Sequence, residues 1–314
     1  MSVTIARAAA DDAEILTEIQ KKAFVRLYEM YRDEQNPYLR GSGELREQIE
    51  SGERDVYKIF YGGTLCGGLT VRDRGGGEYY LNRVCVLPEL QGKNIGRRAI
   101  ALAEKNYAAA RWAVDFPADL PMNRRCYEAC GYSDTGAREK ISDALTLAYY
   151  EKNIDGIFPV RESRFGEAAA LIRESFATVA RDFGLTRANC PNHTSFTTAE
   201  ILRARLKSGW MTFGLYKEGK IIGYVSLSDE GDGVFEMHNL AVPPVNRHAG
   251  YGKRLADFCE KKALGSGARI LKIHIVEDNT VLKSWYLTNG YAHTGTTAFP
   301  HLPFTVGCME KALV

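Results

Sequence analysis

The chain has 314 residues, 45% of them hydrophobic, enough material for two ordinary cores. Lys and Arg number 41 against 39 Asp and Glu, so bulk charge draws the protein to neither nucleic acid nor an anionic membrane. No apolar run is long enough to span a bilayer, and Met1-Ser2-Val3-Thr4-Ile5 enters a strand with no signal peptide, so a reduced cytoplasmic setting is expected.

In chain order, a first strand leads to an amphipathic helix with Ile15, Ile19 and Phe24 on its apolar stripe. A variable polar stretch follows, Tyr28 to Arg54. Three strands come next, Val56 to Tyr61, Thr64 to Arg72 and Tyr79 to Val86, the first two separated by a Tyr61-Gly62-Gly63 turn. The loop Gln91-Gly92-Lys93-Asn94-Ile95-Gly96-Arg97 opens a helix running from Arg97 to Tyr107. A strand from Arg111 to Phe116, another helix and a closing strand complete the half.

The order then starts again. Ile157 to Arg161 resembles Val3 to Arg7, and a helix with Leu171, Ile172 and Phe176 on its stripe follows. The polar stretch is Ala180 to Ser208, and the strands are Met211 to Tyr216, Ile221 to Ser228 and Val234 to Val242. The loop Arg247-His248-Ala249-Gly250-Tyr251-Gly252-Lys253 leads into a helix from Lys253 to Leu264, and a strand follows from Arg269 to Val276. Gly252 lies 156 positions after Gly96, and Tyr286-x-x-x-Gly290-Tyr291 lies 159 after Tyr127-x-x-x-Gly131-Tyr132. Two copies at so long a period mean a duplicated domain rather than a solenoid. The boundary falls at Asn153 to Gly156, which gives domains 1–153 and 154–314.

Strand, basic glycine-containing loop and helix start together aim several backbone N–H groups and a helix dipole at one spot, which suits a phosphate or pyrophosphate. The spacing is neither that of a nucleotide P-loop nor that of a dinucleotide-binding fold. A plain strand-to-helix turn that uses Gly for its φ angles is the alternative.

These residues resemble the GNAT superfamily of acyl-CoA-dependent N-acyltransferases. Arg247-x-x-Gly250-x-Gly252 matches the family loop in full, and Gln91-x-x-Asn94-x-Gly96 departs at one glycine, where Asn tolerates left-handed angles. Asn279, Tyr286 and Gly290-Tyr291 keep a second family spacing. The first half keeps Tyr127 and Gly131-Tyr132 but has Leu120 at the Asn position. The resemblance implies an α/β (α+β) fold: two tandem GNAT domains, each a mixed, mostly antiparallel central sheet flanked by helices. It also implies acetyl-CoA as cofactor, with no metal, and direct attack of a primary amine on the thioester. The seven cysteines are odd in number and without paired C-x-x-C zinc spacing; several lie in apolar runs and read as small core residues.

In the second half the resemblance assigns cofactor contacts to Leu240, Ala241, Val242, Arg247, His248, Ala249, Gly250, Tyr251, Gly252, Lys253 and Asn279. In the first half it assigns them to Val84, Val86, Gln91, Gly92, Lys93, Asn94, Ile95, Gly96 and Arg97. Glu236 is the leading candidate for the base, with His238 on the same strand face as the second; a half-exposed strand carboxylate and a structural histidine are the bland alternatives. Their counterparts in the first half, Tyr80 and Asn82, are no bases at neutral pH. Tyr286 matches the family's proton donor, or is a helix aromatic packed on the sheet. His193, in the unusual Asn189-Cys190-Pro191-Asn192-His193 run, is expected to touch substrate; a Cys190–His193 nucleophile pair or metal site, for which no third partner is evident, and a plain loop with Pro-set turns are the alternatives. The second domain is the expected acetyltransferase, and the first, degenerate, is expected to bind CoA without turnover or to serve as a scaffold. Two alternatives stand: both domains active on different amines, or a non-catalytic acyl-CoA sensor. The expected partner is a small-molecule or peptide amine, with no nucleic acid or membrane, and the protein a monomer or homodimer.

Overall fold

A computed structural model describes residues 1–313. The chain divides into two compact units, one from Met1 to Ile154 and one from Asp155 onward. Unit 1 runs β1 (Val3–Arg7), α1 (Ala13–Tyr31), α2 (Ser42–Ser51), β2 (Asp55–Tyr61), β3 (Thr64–Asp73), β4 (Glu78–Val86), α3 (Ile95–Glu104), β5 (Arg111–Pro117), α4 (Pro121–Ala129), β6 (Ser133–Lys140) and β7 (Thr146–Asn153). Unit 2 repeats it as β8 (Gly156–Pro159), α5 (Phe165–Asp182), α6 (Ala199–Lys207), β9 (Met211–Lys217), β10 (Lys220–Gly231), β11 (Val234–Ala241), α7 (Tyr251–Gly265), β12 (Ile270–Val276), α8 (Thr280–Thr288), β13 (Ala292–Ala298) and β14 (Thr305–Ala312).

Each unit holds one seven-stranded sheet, ordered β1-β2-β3-β4-β5-β7-β6 and β8-β9-β10-β11-β12-β14-β13. Pairing is antiparallel except at β4/β5 and β11/β12, as a connection through a crossover helix requires. These mixed, mostly antiparallel sheets flanked by helices are the architecture that the resemblance implied.

Side-chain alternation gives the sheets two covered faces. In unit 1, Leu69, Val71, Leu81, Trp112 and Val114 pack with Ile95, Ala99 and Ile100 of α3 on one face. On the other, Ala13 and Leu16 of α1 join Leu45 of α2 and Val56. In unit 2, Val225, Leu227, Phe235 and Leu271 pack with Leu255, Cys259 and Ala263 of α7. Gly67 lets β3 approach the end of β4, because a Cβ there would stand 2.3 Å from the Cys85 carbonyl oxygen.

The structure corrects four details of the sequence reading. Ile15 is 44% exposed, and the buried face of α1 is Ala13, Leu16, Thr17, Ile19 and Gln20, so the helix is turned from the predicted stripe. The polar stretches contain α2 and α6, whose few buried anchors, Leu45 and Leu202, are too sparse for a periodic signal. Each half closes with two strands, not one, because every residue of β6 is exposed and leaves no alternation to read. The helices after the loops begin at Ile95 and Tyr251, two residues earlier than expected, so Gly96 and Gly252 lie inside the first helical turn.

Candidate functional site

In both units the middle strands part company. β11 pairs with β12 only over Val234–Glu236 against Ile270–Lys272, and β4 pairs with β5 only over Glu78–Tyr80 against Arg111–Ala113. Beyond those residues the two strands have no ladder between them, so backbone groups on the facing edges are left over. A β-bulge adds to this: between Tyr224↔Ala241 and Ser226↔His238, two residues of β11, Asn239 and Leu240, oppose Val225 alone. Asn239 sits in the left-handed region at φ 52. Leu240, Ala241 and Val242, and in unit 1 Val84 and Val86, lie on these open arms.

Each arm ends in a loop of the same construction. In unit 2, His248 and Gly250 are left-handed, at φ 64 and 78; in unit 1, Gly92 and Asn94 are, at φ 78 and 59. The Asn that replaces the family glycine therefore holds the same conformation as Gly250. Neither helix start carries a side-chain cap. Among the described residues, no protein acceptor binds the N–H groups of residues 92–97 or 248–253. These include Lys93, Ile95, Arg97, Ala249, Tyr251 and Lys253, all assigned to the cofactor. Such a cluster at a positive helix end is suited to an anion. The first loop residue braces the turn: Gln91 donates from Nε2 to the Val86 carbonyl (3.1 Å), and Arg247 from Nε to the Val242 carbonyl (3.2 Å). Arg247 also donates to the Ser175 carbonyl (2.8 Å) and Thr178 Oγ1 (3.2 Å) of α5.

Glu236 stands at the apex of the splay. Its Oε1 accepts from His274 Nδ1 (2.8 Å) and lies 3.1 Å from His238 Nδ1. His238 Nε2 meets Ser228 Oγ at 2.7 Å, Ser228 donates to Glu230 Oε1 at 2.5 Å, and the His238 ring stacks on Trp210 at 3.9 Å. Burial pushes the Glu236 carboxyl up, but His274 and His238 outweigh it, so it titrates below the ordinary carboxylate range. Burial lowers the His238 imidazole, while the hydrogen bond to Glu236 raises half-exposed His274. Glu230, Glu236 and His238 also bring three ligand-type atoms within 4.8 Å of one another. His274, Ser228 and Trp210 were missed in the sequence because no motif joins them; register sets Ser228 opposite Glu236, and the fold brings up the other two.

In unit 1, Tyr80 is buried under the Arg74 guanidinium (3.9 Å) and the Asn82 Oδ1 is buried without a partner. Asp115, however, holds on β5 the register that His274 holds on β12. Burial pushes its carboxyl up.

Tyr286 and Tyr127 are buried in corresponding places on α8 and α4, and burial raises both phenols. Tyr286 packs edge-on against Trp285 and Tyr291. Asn279 caps α8, its Oδ1 accepting from the Leu282 N–H at 3.1 Å, whereas Leu120 gives α4 no side-chain cap. His193 is likewise occupied: Nδ1 accepts from the Ser195 N–H (3.2 Å), and the ring lies edge-on to Phe176 and Phe196. Burial raises the Cys190 thiol.

Known proteins bear on these features. Comparison with the curated proteins finds no relative by sequence. Among solved structures, an acetyltransferase from Thermus thermophilus is 15% identical, covering 49% of this chain and 98% of its own, with a TM-score of 0.40. PaiA N-acetyltransferase from Thermoplasma acidophilum, solved with coenzyme A, is 19% identical over 49% and 100%, at 0.39. YncA from Salmonella typhimurium, solved with acetyl-CoA, is 18% identical over 49% and 95%, at 0.41. The family model for GNAT acetyltransferases matches twice, over residues 23–132 and 179–291. With one match in each half and most of the sequence covered, this chain belongs to the GNAT acetyltransferase family.

Proposed function

We propose that unit 2 transfers an acetyl group from acetyl-CoA to a primary amine, and that unit 1 binds the same cofactor without turning it over. The observation that carries this is the splay of β11 from β12, with the Glu236–His238 pair at its apex and a loop of unengaged amides at its open end. The free edge of β11 suits the pantetheine arm and the amides of residues 248–253 suit the pyrophosphate. Acetyl-CoA supplies the thioester.

The amine nitrogen attacks the carbonyl carbon, the C–N bond forms and the C–S bond breaks. Glu236 takes the proton that the amine loses. Its proton leaves along a chain already in place: Glu236 to His238 Nδ1, His238 Nε2 to Ser228, and Ser228 to Glu230, which is exposed to solvent. Tyr286, kept protonated by burial, gives its proton to the departing thiolate. The acceptor is a small-molecule or peptide amine entering beside residues 180–208, where His193 lies.

Unit 1 keeps the loop and Tyr127 but has Tyr80 and Asn82 in place of Glu236 and His238. A second reading, in which both units turn over, is favoured by Asp115, a carboxyl raised by burial on the open arm of β5. Thiol release from acetyl-CoA with an amine panel tests the function. Glu236→Gln should abolish most of it and Asp115→Asn little. The reverse outcome moves the active site to unit 1, and no release from any amine points to a non-catalytic acyl-CoA sensor.

A further inference from the structure

The face of unit 2 that carries Glu236 also holds three hydrogen-bond donors with nothing to donate to. The Arg205 side chain, on α6, makes no hydrogen bond and no ion pair with any described residue, and its Nη1 is shut off from solvent. Its neighbour on the helix, Arg203, is paired with both Glu162 and Glu200. Tyr224, on β10, is fully buried; its hydroxyl lies near Ser226 but makes no hydrogen bond of normal geometry. Asn239, on the bulge of β11, accepts from Thr194 at Oδ1 (3.3 Å) and leaves Nδ2 buried and unpartnered.

Arg205 lies near both Tyr224 and His238, and Asn239 follows His238 on β11. Arg205 and Tyr224 act on each other electrostatically, as do Arg205 and His238. The Arg205 guanidinium lies over the Trp210 ring at 4.8 Å, and that ring stacks on His238. Tyr224, Ser226 and Ser228 alternate onto the strand face that His238 and Glu236 share across the ladder. Unit 1 has Gly68 where unit 2 has Tyr224, so the arrangement is not a requirement of the fold. A cation and two neutral donors left unsatisfied at part-buried positions are costly to the folded protein unless an acceptor completes them, and a group that only accepts can take all three. A carboxylate is such a ligand, and an arginine fork is its usual partner.

We infer that the amine acceptor of unit 2 carries a carboxylate, an amino-acid-like molecule whose acid group is held by Arg205, Tyr224 and Asn239 while its amine faces Glu236. This rests on unit 2 being the acetyltransferase. The pocket is then charge-matched to a zwitterion: carboxylates at the amine end and a guanidinium at the other.

The test uses the full chain and amines paired with and without a carboxylate: glycine with methylamine, β-alanine with ethylamine, γ-aminobutyrate with propylamine, lysine with cadaverine. Thiol release from acetyl-CoA is measured for each, and separately the thermal shift each produces in the presence of CoA. At least one carboxylate-bearing amine should exceed its partner by tenfold or more in kcat/KM and stabilise the protein where its partner does not. Tyr224→Phe, which keeps the packing, should cut that preference several-fold, and Arg205→Gln should abolish it. Equal or better performance by the partner in every pair, in both measurements, overturns the inference and leaves the transferase reading intact. Selective stabilisation by the amino acids without any thiol release keeps the inference about the pocket and overturns the transferase reading instead.

Discussion

His274 and Glu236 meet across the apex of the splayed strands, Nδ1 to Oε1 at 2.8 Å, and each shifts the other's titration. Glu236 titrates below its usual range, so its share of stability is present above ~4.3 and is lost as pH falls through the folded value. His274 titrates above its usual range, so its share is present below ~6.5 and is lost as pH rises through the raised value. The pair is therefore worth most between those limits. His274→Ala should lower the denaturation midpoint more at pH 6 than at pH 9. An equal loss at both contradicts the pairing.

The same contact tunes the proposed base. Without the His274 cation, Glu236 loses the largest of the influences that hold its carboxyl low. The acidic limb of the kcat/KM–pH profile should move to higher pH in His274→Ala, with acetyl-CoA affinity unchanged. A limb that stays put would mean that Glu236 does not govern it.

At the cofactor loop, size and charge separate cleanly. A Cβ at position 252 meets nothing closer than the Trp285 ring at 3.7 Å, so Gly252→Ala should be nearly silent. Gly252→Glu puts a negative charge where the pyrophosphate is proposed to lie. It should weaken acetyl-CoA binding to unit 2 by at least about tenfold, or about 1.4 kcal/mol. Calorimetry on Gly252→Glu beside Gly96→Glu assigns the loss to one loop or the other; unchanged affinity in both sinks the phosphate assignment.

Asn279 offers a check on how far a family motif reports ligand contact. Its side chain caps α8, so Asn279→Ala should cost about 1 kcal/mol of stability, as cap removal usually does. A thermal melt that is unaltered while acetyl-CoA affinity collapses would make it a cofactor contact instead.

Much of this was legible in the sequence. Both loops, the strands that feed them and the duplication could be read because glycine placement and apolar alternation are local signals. Glu236 and His238 could be placed on one face because strand periodicity is simple. His274 and Asp115 could not be singled out: each is brought to the open arm by parallel pairing across a crossover helix, and nothing local marks them. Arg205 sat in a stretch with too few apolar residues to show as a helix. β6 and β13, almost wholly exposed, carried no alternation at all.

The proposed relay and acid can be separated from mere packing. Ser228→Ala should slow turnover while Ser228→Thr, which restores the hydroxyl, should recover most of it. Tyr286→Phe should lower kcat with little change in acetyl-CoA affinity, whereas Tyr127→Phe should leave turnover nearly intact. Equal damage from both tyrosines would place chemistry in both units.

The most direct measurement is the turnover of Glu236→Gln at saturating acetyl-CoA, followed by thiol release on an amine accepted by the unaltered protein, with acetyl-CoA affinity measured in parallel. The account predicts a fall in kcat of about 100-fold or more, as for loss of a general base, at unchanged affinity. Undiminished kcat in a folded Glu236→Gln protein would contradict it.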